Sequence, residues 1–147
     1  GEKAEEIHIT AKVNGGESLG GETLAKVVEK ANTTAEGVTS LVIESGKVTQ
    51  DDLATLKSMT RLTNLEMNLD GDLELIGAEG TATTVLPAEL FIKSSLETVS
   101  LAGFTEIGES AFKDTKYLES VTIPNVTVIE PEHLQIQRDL RVLNFLQ

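Results

Sequence analysis

One apolar spacing recurs along the chain: an aliphatic residue is followed at the third and fifth positions by two further apolar residues. The copies are Val38/Leu41/Ile43, Leu62/Leu65/Met67, Leu96/Val99/Leu101, Leu118/Val121/Ile123 and Leu140/Leu143/Phe145. Their first residues are separated by 24, 34, 22 and 22 positions. This alternation fits a short strand with one buried face, and the rest of each period must turn and come back. The spacing therefore predicts one coil of a solenoid per copy, with the strands stacked in a parallel sheet.

The segments that return from one strand to the next also repeat. Three of them carry a pair of apolar residues five positions apart: Leu86 with Phe91, Ile107 with Phe112, and Ile129 with Leu134. A single coil cannot bury its own apolar face, so we expect these pairs to fill the core between stacked coils.

The segment ahead of the repeats predicts a cap. Residues 7–13 alternate like a strand, and we expect Ile7 and Ile9 to align with Leu41 and Ile43 of the first repeat. Helical spacing follows twice. One helix is predicted from Glu22 to Asn32 with Leu24, Val27, Val28 and Ala31 on its apolar face, and a second from Asp51 to Met59, capped by Thr49 and Asp52, with Leu53, Leu56 and Met59 buried.

Residues 96 to 134 resemble the BspA-type leucine-rich repeat, whose pattern is L-x-x-V-x-I-P followed by I-x-x-x-A-F. The matching stretches are Leu96-Glu-Thr-Val-Ser-Leu101 with Ile107-Gly-Glu-Ser-Ala-Phe112, and Leu118-Glu-Ser-Val-Thr-Ile-Pro124 with Val128-Ile129. Ala102 stands where Pro124 does one coil later, and His133-Leu134 replaces Ala-Phe. The resemblance implies a bacterial exported or surface-attached protein that contacts other proteins or cells.

The predicted fold is thus α/β: a leucine-rich-repeat solenoid with a parallel sheet on one face and short helical or irregular return segments. Residues 1–147 are expected to form a single domain, with a β-α N-terminal cap at 1–37 and about five repeats at 38–147, including an insertion near 68–84.

Charge and composition limit the classes of partner that the chain is expected to bind. The chain carries 24 acidic and 12 basic residues, a net charge of −12, and no cysteine. A nucleic acid or an anionic bilayer would be repelled, so neither is expected as a partner. No apolar run approaches the length of a membrane span. We therefore expect no membrane insertion of the given chain. A protein partner is what the BspA-type resemblance implies.

The outward-facing residues of the predicted strands form two rows across the sheet. Their polar members are Ser40, Asn64, Glu66, Thr98, Ser100, Ser120, Thr122 and Asn144. Such a small, polar face can hydrogen-bond an extended partner, although the same residues also suit a merely solvated strand surface. It carries no Trp, Tyr or Arg anchor of the sort that dominates interface energies.

The insertion is acidic. Residues 62–92 contain six acidic residues and no Lys, Arg or His, and residues 73–76 and 83–86 flank Gly77-Ala-Glu-Gly80 as in a hairpin. Asn68, Asp70, Asp72 and Glu74 recur at every second position, a spacing that can gather oxygen ligands for Ca²⁺. Gly71 does not stand where an EF-hand places its glycine, so a solvated acidic loop is the alternative.

Catalysis is not expected. His8 and His133 are 125 positions apart, no phosphate-binding glycine loop occurs, and no two of the acidic residues stand out as a catalytic pair. No cofactor is predicted.

The function expected from the sequence is a non-catalytic binding module. The BspA-type resemblance implies that it acts in adhesion or protein–protein interaction at the bacterial cell surface or after secretion. One alternative is a structural role in which the C-terminal strand, residues 140–145, pairs with another copy. A more distant alternative is a hydrolase that uses carboxylates of the acidic insertion.

Overall fold

The structure is a computed structural model, and it describes residues 5–15, 22–69, 71–127 and the backbone of 142–144. These residues form a mixed α/β fold with a mostly parallel sheet and two α-helices. The strands are β1 (His8–Val13), β2 (Ser40–Val48), β3 (Asn64–Glu66), β4 (Leu73–Ile76), β5 (Ala82–Thr83), β6 (Val85–Leu86), β7 (Thr98–Ser100), β8 (Glu106–Ile107), β9 (Ser120–Thr122) and β10 (Val142–Asn144). The helices are α1 (Leu24–Lys30) and α2 (Gln50–Lys57).

Strands β2, β3, β7, β9 and β10 lie side by side in chain order, and each pairs in parallel with the next. The central residues of the first four, Leu41, Leu65, Val99 and Val121, are no more than 3% exposed. The flanking apolar positions of the same four copies are buried too: Val38, Ile43, Leu62, Met67, Leu96, Leu101, Leu118 and Ile123. The predicted parallel sheet with one buried face is confirmed for these strands. In the fifth copy the backbone of Leu143 pairs with Val121, while Leu140 and Phe145 lie outside the described residues.

Strand β2 is the longest strand described and has neighbours on both edges. One edge pairs with β1, and the other pairs with β3 through residues 40–42 and with β4 through residues 46–48. The ladder with β1 shifts between Ala11 and Lys12, beside Gly46. Gly46 has a φ of +105°, and a Cβ there would lie 1.4 Å from the carbonyl oxygen of Val13. Only glycine fits at this position, where the backbones of β1 and β2 approach closely beyond the shift in register.

The predicted cap strand forms, but its register differs from the expected one. Leu41 pairs with Ile9 and not with Ile7, and Ile43 pairs with Ala11 and not with Ile9. The strand alternates between exposed and buried residues. A slip of two residues keeps the same side chains on the buried face, so the apolar pattern alone cannot distinguish the two registers.

Both predicted helices are present and shorter than expected. The Thr23 hydroxyl accepts from the backbone N–H of Lys26 at the start of α1, and Thr49 and Asp52 form the predicted capping box at the start of α2. Leu53, Leu56 and Met59 are buried as predicted. On α1, Leu24 and Val28 are buried and Val27 is half-buried, whereas Ala31 is exposed at the C-cap, because the helix ends before it could turn that position inward.

Asp52 also connects three elements. Its Oδ1 accepts from the backbone N–H of Leu24 at 2.8 Å, and its Oδ2 accepts from the side-chain amide of Asn14 at 2.7 Å and the backbone N–H of Thr49 at 2.9 Å. The residue is 1% exposed. This carboxylate therefore holds the end of β1 and the first turns of both helices together.

The predicted hairpin is only partly correct. β4 and β5 pair antiparallel through Leu75 with Thr83 and Ile76 with Ala82, around the expected Gly77–Gly80 turn. The second strand ends at Thr83, and Val85 and Leu86 pair instead with Glu106 and Ile107 in a separate two-stranded parallel sheet, β6–β8. Leu86 is fully buried, and burying it among the return segments ends the hairpin early.

The return segments stack on one another, as their repeated apolar pairs predict. Leu86, Phe91, Ile107 and Phe112 are all buried, and the two phenylalanine rings lie 5.4 Å apart. Backbone N–H groups of Glu89, Phe91 and Lys93 donate to the carbonyls of Glu109, Ala111 and Lys113. A Cβ on Gly108 would lie 2.4 Å from the backbone nitrogen of Ala88, so the two segments approach closely there. The pair Ile129 and Leu134 lies outside the described residues.

Candidate functional site

The strand registers place the predicted face residues in two rows across the sheet. The first row is Ser40, Asn64, Thr98 and Ser120, and the second contains Val42, Glu66, Ser100 and Thr122. Asn144 follows Thr122 in the backbone ladder. The side chains of the two rows are half-buried or exposed, because they alternate with the buried central residues of each strand. The structure therefore brings together the residues that the sequence predicted to share one face.

Hydrogen bonds connect the first row. The amide Nδ2 of Asn64 donates to Ser40 Oγ at 3.2 Å, and the hydroxyl of Thr98 donates to Asn64 Oδ1. Asn64 thus fixes the side-chain positions of Ser40 and Thr98 on the two neighbouring strands. This part of the face is preorganised, so less side-chain entropy would be lost when a partner is bound.

Next to this face lies a groove that the sequence did not predict. It has a volume of about 620 Å³ and follows the edge where the parallel strands begin. Its lining residues are Glu5, Glu6, His8, Thr39, Ser40, Thr60, Arg61, Thr63, Asn64, Ser95 and Glu97. Two of them, Ser40 and Asn64, belong to the first row, so the groove and the face are continuous.

Backbone hydrogen bonds set the wall of the groove. The N–H of Thr63 donates to the carbonyl of Thr39 at 2.9 Å, and the N–H of Glu97 donates to the carbonyl of Thr63 at 2.7 Å. The hydroxyl of Ser95 donates to the carbonyl of Leu62 at 2.6 Å. Each residue directly before a strand therefore lies beside its equivalent on the next strand. The repeat spacing alone could have identified Thr39, Thr63, Glu97 and Glu119 as this set.

Acidic side chains dominate the titratable groups of the groove. Glu5, Glu6 and Glu97 are exposed there, together with His8 and Arg61, which is the only arginine among the described lining residues. His8 Nε2 lies 3.4 Å from Glu6 Oε1, and Arg61 donates to the backbone carbonyl of Glu5 at 3.4 Å. Among the described residues, no lysine or arginine lies within ion-pair distance of the Glu97 carboxylate.

The candidate calcium ligands do not form a cluster in the described part of the chain. Asn68 Oδ1 already accepts from the backbone N–H of Ala102 at 2.8 Å and from the hydroxyl of Ser100 at 3.0 Å. Asp72 and Glu74 are exposed, and Asp70 lies outside the described residues. Within those residues no group of three or more His, Asp or Glu side chains could hold a metal ion. Calcium binding stays a prediction from the sequence.

Two further cavities in the described regions can be compared with the groove. One of about 560 Å³ lies beside the β4–β5 hairpin, and Glu74 is the only charged residue among its described lining residues. The other is a narrow, mostly apolar crevice of about 150 Å³ between the end of α2 and residues 90–94. Neither contains any of the predicted face residues.

Compared with known proteins, the chain matches no family model, no curated protein and no solved structure. No helix among the described residues is both long and apolar enough to span a membrane.

Proposed function

We propose that this chain is a leucine-rich-repeat solenoid that works as a non-catalytic module for binding another protein. The observation that carries the proposal is the pair of rows on one face of the parallel sheet, polar at every position from β2 to β9 but Val42, with the groove beside them. An open, hydrogen-bonding face of this kind suits an extended or broad partner better than a small substrate, which requires a concave and enclosed site.

Two observations support the solenoid part of the proposal. Strands β7, β9 and β10 succeed one another at a constant interval along the chain, and each places an equivalent residue in the same row. The return segments of two successive coils also share backbone conformation, since Glu89 and Ser110 have φ of 61° and 58°, and Lys93 and Asp114 have φ of 58° and 60°. Repetition of a turn at this level is typical of stacked structural repeats.

The cellular location that we propose rests on the BspA-type resemblance alone. A protein of that kind would act at a bacterial surface or after secretion. The resemblance is carried by residues 96–134, and it adds adhesion to proteins or cells as the purpose of the binding face.

The proposal is tested by locating the partner's binding surface. A partner captured from the source cells is purified and titrated against the chain by calorimetry. Ser100→Arg with Thr122→Arg places two bulky charges on the face, and Glu109→Arg with Lys113→Glu alters two exposed residues of the return segments as the control. We expect the face variant to abolish binding and the control to retain it. Equal loss in both variants, or unchanged affinity in the face variant, would rule out this face.

One observation favours a second candidate function, which is assembly. In the described part of the chain β10 pairs with β9 on one edge, and no described strand pairs with the other edge. An open edge strand can pair with a second copy. Light scattering after size exclusion, over a wide concentration range with and without Ca²⁺, tests this function. A mass that doubles with concentration supports assembly, and a constant monomer mass excludes it. A mass that changes only when Ca²⁺ is added would support the calcium site predicted at residues 68–74.

A further inference from the structure

We propose that the groove at the start of the strands binds an extended basic segment of the protein partner. This inference rests on the proposed binding function and specifies the chemistry of the partner. Four acidic residues along one edge of the sheet carry it: Glu5, Glu6, Glu97 and Glu119. The edge residues are arranged in the order of the strands, so a chain lying across the strands would meet them one after another.

The first step of the argument concerns Glu97 and Glu119. They occupy equivalent positions directly before β7 and β9, and the backbone N–H of Glu119 donates to the carbonyl of Glu97 at 2.7 Å. Both are exposed, and none of the ion pairs among the described residues includes either carboxylate. Like charges at adjacent ladder positions repel each other. A cation placed between them would remove this repulsion as well as form new ion pairs.

The second step concerns the other end of the groove. Glu5 and Glu6 are exposed just before β1, and the groove joins them to Glu97. The basic side chains among the described lining residues are His8, which lies beside Glu6, and Arg61, which donates to the backbone carbonyl of Glu5. Counting Arg61 as +1, His8 as neutral and the three glutamates as −3, the described lining residues of the groove carry a net charge of −2. Its charge is complementary to a basic ligand.

The third step concerns spacing. Neighbouring strands are about 4.8 Å apart, so the three intervals from β1 through β2 and β3 to β7 span roughly 14 Å, which equals about four residues of an extended peptide. One more interval reaches Glu119, and about two residues cover it. Even separations keep side chains on the same side of an extended chain. A matching ligand therefore has basic residues separated by four and then by two positions.

The fourth step concerns selectivity against other ligands. Several uncharged polar groups of the wall already have a hydrogen-bond partner within the chain. Ser95 donates to the carbonyl of Leu62, Thr63 donates to the carbonyl of Thr39, and Asn64 joins Ser40 to Thr98. The exposed carboxylates supply the charge of the groove, and they favour ammonium and guanidinium groups. Arginine suits them best because its planar fork can bind a carboxylate through two hydrogen bonds.

The test measures binding of a defined peptide by fluorescence anisotropy. The probe is a fluorescein-labelled decapeptide of glycine and serine with arginine at its second, sixth and eighth positions. It is titrated with the full chain, with the Glu97→Gln and Glu119→Gln double variant, and with a control double variant, Glu79→Gln and Glu109→Gln. Both double variants lower the negative charge by two, and all four residues are exposed, so folding is not at risk.

We expect the groove variant to raise the Kd about tenfold, and the control to change it by less than about twofold, because exposed charges distant from a ligand are screened at physiological salt. A peptide whose three arginines follow one another directly should bind more weakly than the spaced peptide. No binding at about 1 mM chain would overturn the inference, as would equal weakening by both double variants. Either failure leaves the face test above unaffected, so the two proposals can be rejected separately.

Discussion

At the scale of single residues, a few polar groups make bonds that no local pattern reveals. Asp52 is the clearest case, because its carboxylate is buried and bonded to Leu24, Asn14 and Thr49 at once. From the sequence it is an ordinary capping residue of α2, and that prediction is confirmed. Its bonds to Leu24 and Asn14 depend on how β1 and α1 pack, which lies beyond the reach of a capping motif.

Replacing Asp52 by alanine should lower the free energy of unfolding by about 3 kcal/mol, because it leaves the buried N–H of Leu24 without an acceptor and removes a cap. Urea unfolding measures the change. Asp51→Ala is the control: it removes an exposed carboxylate from the same helical turn and should cost no more than about 1 kcal/mol. Similar values for the two variants would contradict the role assigned to Asp52.

A second residue-scale prediction concerns the left-handed backbone of Glu89. Its φ is 61°, which costs a residue with a Cβ about 1–2 kcal/mol, while glycine costs about 0.5–1 kcal/mol through its greater freedom in the unfolded chain. Glu89→Gly should therefore raise the free energy of unfolding by about 0.5–1 kcal/mol. Glu109→Gly, at an exposed residue without positive φ, should lower it. A loss of stability in both variants would refute the strain argument.

At the scale of elements, the return segments are held together by apolar contacts as well as by their backbone ladder. Phe112 is fully buried and its ring lies 5.4 Å from that of Phe91. The pair connects two successive return segments at the point where they turn. Its burial agrees with the sequence pattern, in which both phenylalanines stand five positions after a buried aliphatic residue.

Phe112→Ala should destabilise the protein by about 3–5 kcal/mol through lost apolar contact and a cavity. Thermal unfolding followed by circular dichroism detects the change as a lower Tm. Tyr117→Ala is the matched control, since it removes an aromatic ring that is 59% exposed, and it should leave the Tm almost unchanged. An unaltered Tm in Phe112→Ala would mean that the return segments do not pack as described.

The elements also show where sequence reasoning stops. The spacing of Leu41, Leu65, Val99 and Val121 predicts both their burial and their mutual register, because neighbouring strands carry the same pattern. The register of β1 could not be predicted in the same way, since a two-residue slip leaves its alternation intact. The sequence pattern predicts Val85 and Leu86 in the hairpin, and this prediction is wrong. They pair with Glu106 and Ile107 because the return segments pack against each other.

In the candidate site, too, the sequence predicts one part and not the other. The face rows are a direct consequence of strand periodicity, so the sequence predicts which residues lie together there. The groove depends on segments far apart in the chain, such as Glu5, Arg61 and Glu97, and no spacing rule connects all of them. The repeat spacing does identify the residue directly before each strand, but these residues form only one wall of the groove.

At the scale of the whole molecule, negative charge is poorly compensated. The net charge is −12 with both histidines neutral, and the three Lys–Glu ion pairs among the described residues are all exposed. Exposed pairs contribute little to stability, so self-repulsion acts against the folded state. The acidic edge proposed to bind a basic partner belongs to this excess.

Raising NaCl from about 10 mM to about 0.5 M should therefore increase the stability by about 1 kcal/mol, or the Tm by roughly 3 °C, through screening of that repulsion. Differential scanning calorimetry measures the shift. The Glu97→Gln and Glu119→Gln variant changes the net charge from −12 to −10. It should start from a higher Tm at low salt and respond less. A Tm that falls with added NaCl would contradict this expectation.

The order of strands in the main sheet has a kinetic consequence. Along the row from β1 through β2, β3, β7 and β9 to β10, partners follow one another in chain order, so each pairing closes a loop of similar length, the longest between β3 and β7. The entropy lost in closing a loop changes only slowly with its length. We therefore expect no single strand pairing to form much more slowly than the others. Pairing can start at any adjacent strands and spread outward. Amide protons should then exchange in a graded sequence, fastest at the two ends of the row and slowest at its middle.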